Sequence, residues 1–536
     1  MKDMKNGAQI IQKPRTEQIT MARRYTLLIA LGLCTALAIQ TRIGIESSIG
    51  GFLTASLLLF ILYRDILRYK PQYMKKYSML LLLGLLIVTT IVLGRLSHYV
   101  LLNLSKGLGS LAIEGAVFGM PIAMGAMLVT LIFDFHTAIF FSFIVSLLSG
   151  LWLLDAVYPV YAFVGSLTAA FRVIRCKKRS ALLKGGLFVG GASLVTSILL
   201  LLSQGELFTD KAISSLVFAA STGLSVPAIV SLLLPVIEYT FHVTTDISLL
   251  ELLDFNQPLM KSLMVNAPGT YHHSVIVGNL VESAAEAVGV NPLLARVSAY
   301  YHDIGKIKMP EYFVENYTSA VSKHERLTPH MSTLIIGSHV KEGAELGHQH
   351  KLPQSIIDII QQHHGTSLMT YFYQKAKDHD AGDHPLVEDY KYQGPKPQTR
   401  IAALVMMADA VEASSRVLND PTPARIAALV DRIINHIFLE GQLDECELTL
   451  KDISEIKKHF SYILTGILHK RVDYPGFDFN REPNEISKDS ERGVGGETPF
   501  APHTHEGPHR EPTKAHKDKP QETKKGLSGT PHGIPS

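Results

Sequence analysis

Long apolar runs crowd the first half of the chain and disappear from the second. Crossing a bilayer takes about 17–25 mostly apolar residues. Eight stretches approach that pattern, near 25–41, 48–63, 78–94, 111–132, 137–155, 157–173, 184–203 and 213–238. From about residue 245 the apolar positions recur three and four apart instead, in Ser274–Val288, Pro292–Tyr301, Pro329–Glu345, Gln354–His363, Thr399–Leu418 and Ala424–Phe438. Turn signals at 266–269, 289–292 and 394–397 separate these helices, and no convincing alternation for a sheet appears. The expected fold is all-α. A polytopic membrane bundle (25–238) follows an N-terminal segment (1–24), and a helical soluble domain with its juxtamembrane linker (239–480) comes next. Beyond 481 the chain is rich in Pro, Gly, Lys, Glu and His and buries too little apolar surface to fold, so 481–536 reads as a disordered, solvated tail.

Basic residues near span ends mark the cytoplasmic side. Arg23 and Arg24 precede the first run; Arg64, Arg68, Lys70, Lys75 and Lys76 fill the second connection; Arg172, Arg175, Lys177, Lys178 and Arg179 fill the sixth. All three clusters share one side when eight spans follow a cytoplasmic N-terminus, and the soluble domain then faces the cytosol. The first run has a rival reading. Arg23-Arg24, an apolar core and Ala36-Leu37-Ala38 are the parts of a cleavable signal peptide, although the basic preamble is long. Glu114, Asp134 and His136 fall near span ends and no carboxylate–lysine relay is visible, which favours an anchor or sensor bundle over a transporter.

Composition adds little beyond this division. Charged residues are only 18% and mean hydropathy is +0.17, both set by the apolar half. A net charge of +3 gives no footprint for nucleic acid. Cys34, Cys176 and Cys446 have no spacing for a disulfide framework or a zinc cage.

The chemistry sits in the second half. The run Tyr-Tyr-His-Asp-Ile-Gly-Lys (300–306) contains His302 and Asp303, with His273 before it and His339, His363, His364 and Asp409 after it. His273 starts a helix that Thr270 is placed to cap. His302 and Asp303 end the helix from Pro292, with Gly305 as its stop. His339 lies in a helix whose inner face reads as Leu334, Ile335 and Val340. Asp409 falls in the apolar run Leu404–Ala413, where a lone buried carboxylate is very costly. It requires a metal or a partner such as Arg296 or Arg416. A single helical histidine is more often packed or solvated than a ligand. Adjacent histidines on a regular helix also point about 100° apart, so His363 and His364 share a metal only where the helix distorts before Gly365. Lys306 is either a phosphate contact or a solvated loop lysine, and His272, His330, His348 and His350 read as structural or solvated.

The ordered set His273, His302-Asp303, His339, His363-His364 and Asp409 resembles the HD-domain metal-dependent phosphohydrolases. More narrowly, Asn266–Asn279, Tyr300–Lys306, Gln362–Tyr373 and Gly394–Thr399 look like the seven-transmembrane HD family of bacterial cyclic-di-AMP phosphodiesterases, over about 48–470. The resemblance implies one metal held by His273, His302, Asp303 and Asp409 and a second held by Asp303, His339, His363 and His364, with Asp303 bridging. Mixed imidazole and carboxylate ligands suit iron or manganese, with zinc as a further option. It also implies hydrolysis of cyclic di-AMP to the linear dinucleotide by metal-activated water, with Asp303 and Lys306 as catalytic residues. The setting would be the bacterial inner (cytoplasmic) membrane, with the lipid bilayer and cyclic di-AMP as partners. A homodimer is left open.

Two departures stand out. The family usually carries a large extracellular domain after its first span, where this chain has only about Thr41–Ser47. Related cyclic-di-GMP hydrolases carry Gly-Tyr-Pro after the double histidine, where this chain reads Gly365-Thr366-Ser367-Leu368. Two alternatives remain: a membrane receptor or transporter whose HD domain binds nucleotide without turnover, and an HD hydrolase acting on a deoxynucleotide, an alarmone or cyclic di-GMP. Five tail histidines (His503, His505, His509, His516, His532) are read as solvated rather than metal-binding.

Overall fold

A computed structural model describes residues 3–468, apart from 42–43, 75–76, 110–111, 175, 318–321 and 380–384. Lys75, Lys76, Arg175 and the tail with its five histidines lie outside the described residues.

The membrane half contains α1 (Asp3–Ile39), α2 (Ile45–Tyr69), α3 (Tyr77–Leu108), α4 (Ala123–Ile132), α5 (Phe135–Leu153), α6 (Tyr158–Val173), α7 (Arg179–Gln204) and α8 (Asp210–Phe241). Among the described residues, seven stretches are long and apolar enough to cross a membrane, one fewer than the sequence suggests. The missing one, 157–173, is present as α6. Its 16 residues rise only about 24 Å, short of a hydrocarbon core of about 30 Å, and it packs among α4, α5 and α7. The stretch expected as one helix over 111–132 is broken. A 3-10 turn at Ile113–Gly119 gives way to extended backbone at Met120 (φ −71°, ψ 128°) before α4 begins. Pro121 explains the break, because proline forces the residue before it out of helical geometry. Where α7 and α8 meet, their backbones touch: a Cβ on Gly190 would lie 2.9 Å from Gly223 Cα, and one on Gly186 only 2.5 Å from Gly223 O. Small residues permit such an approach in lipid, where packing rather than water drives helix association.

Three connections gather at one end of the bundle. Tyr73 donates to Phe133 O (2.9 Å), His136 Nε2 lies 3.1 Å from Asp65 Oδ2, and Lys70 Nζ lies 3.7 Å from Asp134 Oδ2. At the same end, Asp134, Cys176 and Asp246 line a cavity of about 370 Å³. Arg179, first in α7, donates to both oxygens of Glu251 (2.7 and 3.0 Å) on α9 (Asp246–Leu252). The basic connections that are described therefore lie at the end from which the soluble domain extends.

That domain continues through α10 (Pro258–Asn266), α11 (Pro268–Val288), α12 (Pro292–Tyr301), α13 (Pro329–Gln349), α14 (Gln354–Gln362), α15 (Thr370–His379), α16 (Arg400–Ser415), α17 (Pro423–Leu439) and α18 (Leu450–Leu468). Among the described residues, the one extended pairing is an isolated bridge between Leu368 and Lys391. Proline at the first turn and a side-chain cap start several helices: Asn291 for α12, Thr328 for α13 and Thr422 for α17, each accepting a backbone N–H. Thr399 caps α16 the same way. Helix α16 is apolar around most of its circumference and is correspondingly central, with Leu404, Val405, Met407, Ala408 and Val411 all buried. Its neighbours are α11, α12, α14 and α17, so a polar group on α16 must find its partner inside the domain.

Candidate metal centre

All seven residues singled out in the sequence converge. His273 comes from the second turn of α11, His302 and Asp303 from the end of α12, His339 from α13, His363 and His364 from the end of α14, and Asp409 from α16. They form two groups that share Asp303. In one, His273, His302, Asp303 and Asp409 each offer a ligand atom, all within 4.8 Å of one another; in the other, Asp303, His339, His363 and His364 do the same. Asp303 Oδ2 lies 3.3 Å from His302 Nε2 and 3.8 Å from His273 Nε2, whereas Oδ1 lies 3.3 Å from His339 Nε2 and 3.6 Å from His363 Nε2. One carboxylate thus turns one oxygen to each group.

Backbone geometry aims the imidazoles. His302, His339 and His363 each donate Nδ1–H to the carbonyl three residues earlier, Ala299, Ile336 and Ile360, at 2.6–2.7 Å. A carbonyl only accepts, so the Nδ1 proton is fixed and each Nε2 faces the centre. His273 differs: its Nδ1 lies 2.5 Å from Glu412 Oε2. Helix α14 stops at Gln362 and Gly365 takes φ +52°, which turns the adjacent rings of His363 and His364 onto one group, their centroids 4.1 Å apart.

These groups fit divalent cations. Asp303 is 1% exposed; its Oδ2 has Lys306 Nζ at 2.7 Å, but its Oδ1 accepts no hydrogen bond, and His302 Nε2 is buried without one as well. Native proteins rarely leave buried polar atoms of this kind unsatisfied side by side. Burial opposes ionisation of both carboxyls, but Lys306, His302 and His339 outweigh it at Asp303, and His273, His302 and His364 do so at Asp409, holding both well below the usual range. Burial keeps His363 and His364 neutral, with its effect reinforced at His364 by the neighbouring imidazoles. Ionised carboxylates and neutral imidazoles are the forms that bind metal.

Several local expectations need correction. Thr270 does not cap α11, which starts at Pro268; its hydroxyl donates to Glu315 (3.0 Å). Gly305 is not a helix stop but a point of close approach, since a Cβ there would sit 1.9 Å from His339 O. The buried residues of α13 are Ser332, Thr333, His339, Gly343, Ala344, Leu346 and Gly347, mostly small or polar, and not Leu334, Ile335 and Val340. Arg296 pairs with Glu282 and Arg416 with Glu412, so neither neutralises Asp409. Lys306 is no solvated loop lysine: its Nζ lies 2.7 Å from Asp303 Oδ2 and 2.9 Å from Glu315 Oε1. His272, His330, His348 and His350 are exposed.

Three neighbours went unrecognised in the sequence. Glu412 and Glu315 are described above; the third is Tyr392, whose ring stacks on His364 at 4.1 Å and 20°. Only Glu412 left a signal, as a second carboxylate one turn after Asp409 in an apolar helix. Beside His364 and Tyr392 opens a cavity of about 470 Å³, lined also by Lys341, Gln361, Gly394 and Pro395. Its size suits a small-molecule site.

Fold and centre together define a membrane-held HD domain with two His/Asp groups consistent with a binuclear metal site. Residues 45–245, covering α2 to α8, match the family described as 7TM receptor with intracellular HD hydrolase, and residues 270–414 match the HD domain family. It is similar to Cyclic-di-AMP phosphodiesterase PgpH of Bacillus subtilis (strain 168), with 36% identity over 440 residues, 81% of this chain and 60% of that protein. The PgpH of Listeria monocytogenes serotype 1/2a (strain 10403S) is 40% identical over 319 residues, 59% of this chain and 44% of that protein. The chain thus spans about half to three-fifths of the length of these relatives. Among solved structures, the L. monocytogenes PgpH HD domain in complex with cyclic-di-AMP is 47% identical and is matched over its whole length by 40% of this chain, with a TM-score of 0.38.

Proposed function

We propose that this protein is a metal-dependent phosphodiesterase that hydrolyses cyclic di-AMP to the linear dinucleotide and so sets the level of a second messenger. The observation that carries the reading is Asp303, buried between two complete ligand groups, one of which reaches a cavity of suitable size through His364. The similarity to two proteins named as cyclic-di-AMP phosphodiesterases supplies the substrate. His273, His302, Asp303 and Asp409 would hold one cation and Asp303, His339, His363 and His364 the other, with iron or manganese suited to this mixture of nitrogen and oxygen donors. When bound there, two such cations would supply a nucleophilic water at neutral pH and would offset charge on the phosphoryl group.

The protein's own residues do the rest. Asp303 fixes the spacing of the two groups, and the carbonyl-tethered histidines keep their donor nitrogens on it. Lys306 places a positive charge against Asp303, where it offsets the negative charge of an incoming phosphate. Tyr392 covers the outer face of His364, at the edge of the cavity that would take the dinucleotide.

Residues 25–238 would hold the protein in the bacterial cytoplasmic membrane, with the HD domain of 239–480 in the cytosol, as the basic connections at its end of the bundle support. The test is the purified full-length chain in detergent, loaded with manganese or iron and mixed with cyclic di-AMP, cyclic di-GMP alongside, the product followed by chromatography. Cleavage of the adenine dinucleotide that Asp303→Ala abolishes is expected. Nucleotide binding without cleavage in fully metal-loaded protein would overturn the enzyme reading in favour of a receptor.

A further inference from the structure

We infer that Glu412, steered by Arg416, is the positioning residue that makes the first metal group selectively strong, by acting on His273 from behind. This rests on the reading of the centre as a two-metal site. Three of the four Nε2-directed histidines lean on backbone carbonyls, which are neutral acceptors. His273 alone leans on a carboxylate, with Nδ1 2.5 Å from Glu412 Oε2. Both partners are buried, at 5% and 2% exposure, so the interaction is little screened by solvent.

Helix α16 supplies this arrangement through its own periodicity. Residues three apart share a helix face, and Asp409 and Glu412 are so spaced. Asp409 Oδ1 sits 2.9 Å from Nε2 of His273 while Glu412 grips Nδ1, so one helix holds both nitrogens of one ring. One turn further on, Arg416 donates through Nη2 and Nε to Glu412 Oε1 (2.7 and 2.9 Å). It fixes the carboxylate's orientation and offsets its buried charge, and its Nε also reaches Oε2 (3.1 Å), the oxygen that faces the imidazole. An anionic partner behind a ligand histidine fixes its tautomer and raises its basicity, and losing such a partner typically weakens metal binding about 10–100-fold.

The experiment uses the full-length chain in detergent, loaded with manganese and dialysed against graded chelator, with bound metal counted by elemental analysis. Wild type should hold two equivalents and Asp303→Asn should lose both. Glu412→Gln keeps the shape and removes the charge; it should lose one equivalent at about 10–100-fold lower chelator strength and keep the second unchanged. Glu412→Asp, which restores the charge on a shorter arm, should recover part of that loss. If Glu412→Gln fails to fold, Arg416→Gln, which removes the group that orients the Glu412 carboxylate, carries the test, and wild-type retention of both metals by it then overturns the inference. Unchanged retention by a folded Glu412→Gln, or equal weakening of both metals, overturns the role of Glu412 while leaving the two-metal centre standing. Fewer than two equivalents in wild type would overturn the centre itself and this inference with it.

Discussion

His339 and His363 face each other with their Nε2 atoms 3.3 Å apart, while each has its Nδ1 proton committed to a carbonyl behind it. With both Nδ1 protons so tethered, the facing Nε2 atoms repel one another unless a proton or a metal cation lies between them. Metal loading should therefore stabilise the HD domain. At a free metal concentration about 100 times Kd, the gain is about 2.7 kcal/mol. Hydrogen exchange of α11 to α16 with and without metal would measure it, and identical protection in both states would contradict the assignment.

Asp303 joins the two groups, so its loss should not leave a one-metal enzyme. Asp303→Ala is expected to release both cations and reduce turnover to background, with the fold retained because Lys306 keeps Glu315 as a partner. Elemental analysis and circular dichroism on the same sample check both parts. One retained equivalent of metal would show that the groups are independent.

The pH dependence follows from two histidines. Without metal, burial works against charging His302, but Asp303 and Asp409 outweigh it and push the imidazole up to about 10; at His273 burial also opposes the charge, and Asp409 and Glu412 outweigh it and raise the ring. A raised folded-state pKa stabilises fully below the free imidazole value of about 6.5 and loses its effect as pH climbs through the raised one. The metal-free protein should thus weaken between about pH 6.5 and 10. Metal binding needs these rings neutral, so it should expel protons, and affinity should climb with pH through the same window. Calorimetric titration with manganese in two buffers of different ionisation enthalpy reads the released protons; buffer-independent heats would mean that both rings are already neutral.

Gly305 makes one of the closest backbone approaches in the domain, packed against the backbone of α13. Gly305→Ala should push the segment after Asp303 away from His339 and Gly343, at a cost of about 1–3 kcal/mol. Metal affinity should fall with stability, because Asp303 lies two residues away. Chemical unfolding and chelator competition measure the two losses, and an alanine variant with wild-type stability would refute the contact.

In the membrane half, Gly190→Val should separate α7 from α8 at Gly223. Overpacking of this kind costs about 1–3 kcal/mol. Arg179 at the base of α7 bonds to Glu251, so disturbance there has a route to the soluble domain. Unfolding in mixed detergent micelles would measure the loss, with Gly191→Val as a control in open space.

The sequence made the helices and ligands legible for different reasons. Apolar periodicity marked the soluble helices and long apolar runs marked the spans. Asp409 was conspicuous because ionised carboxylates seldom occur inside such a run as Leu404–Ala413. The segment 304–317 was not legible, since it folds as consecutive 3-10 turns whose short periods leave no amphipathic pattern. Glu315 and the burial of Lys306 were lost with it. Pro121 was passed over because proline is common in spans, and its effect depends on whether neighbours replace the helix hydrogen bonds it removes. Tyr392 reaches His364 from a loop distant from the motif, a proximity set by tertiary folding alone.

The tethering of His302, His339 and His363 to carbonyls three residues back has a consequence for how this centre can change. A main-chain acceptor is present whatever side chain occupies positions 299, 336 and 360. Drift at those positions therefore leaves the donor strength of three ligands untouched, provided that the helix ends keep their shape. Only the ring of His273 depends on the identity of a residue behind it. Of these four imidazoles, three are insulated from substitution and one is adjustable, so selection or an engineer can retune one metal without disturbing its neighbour.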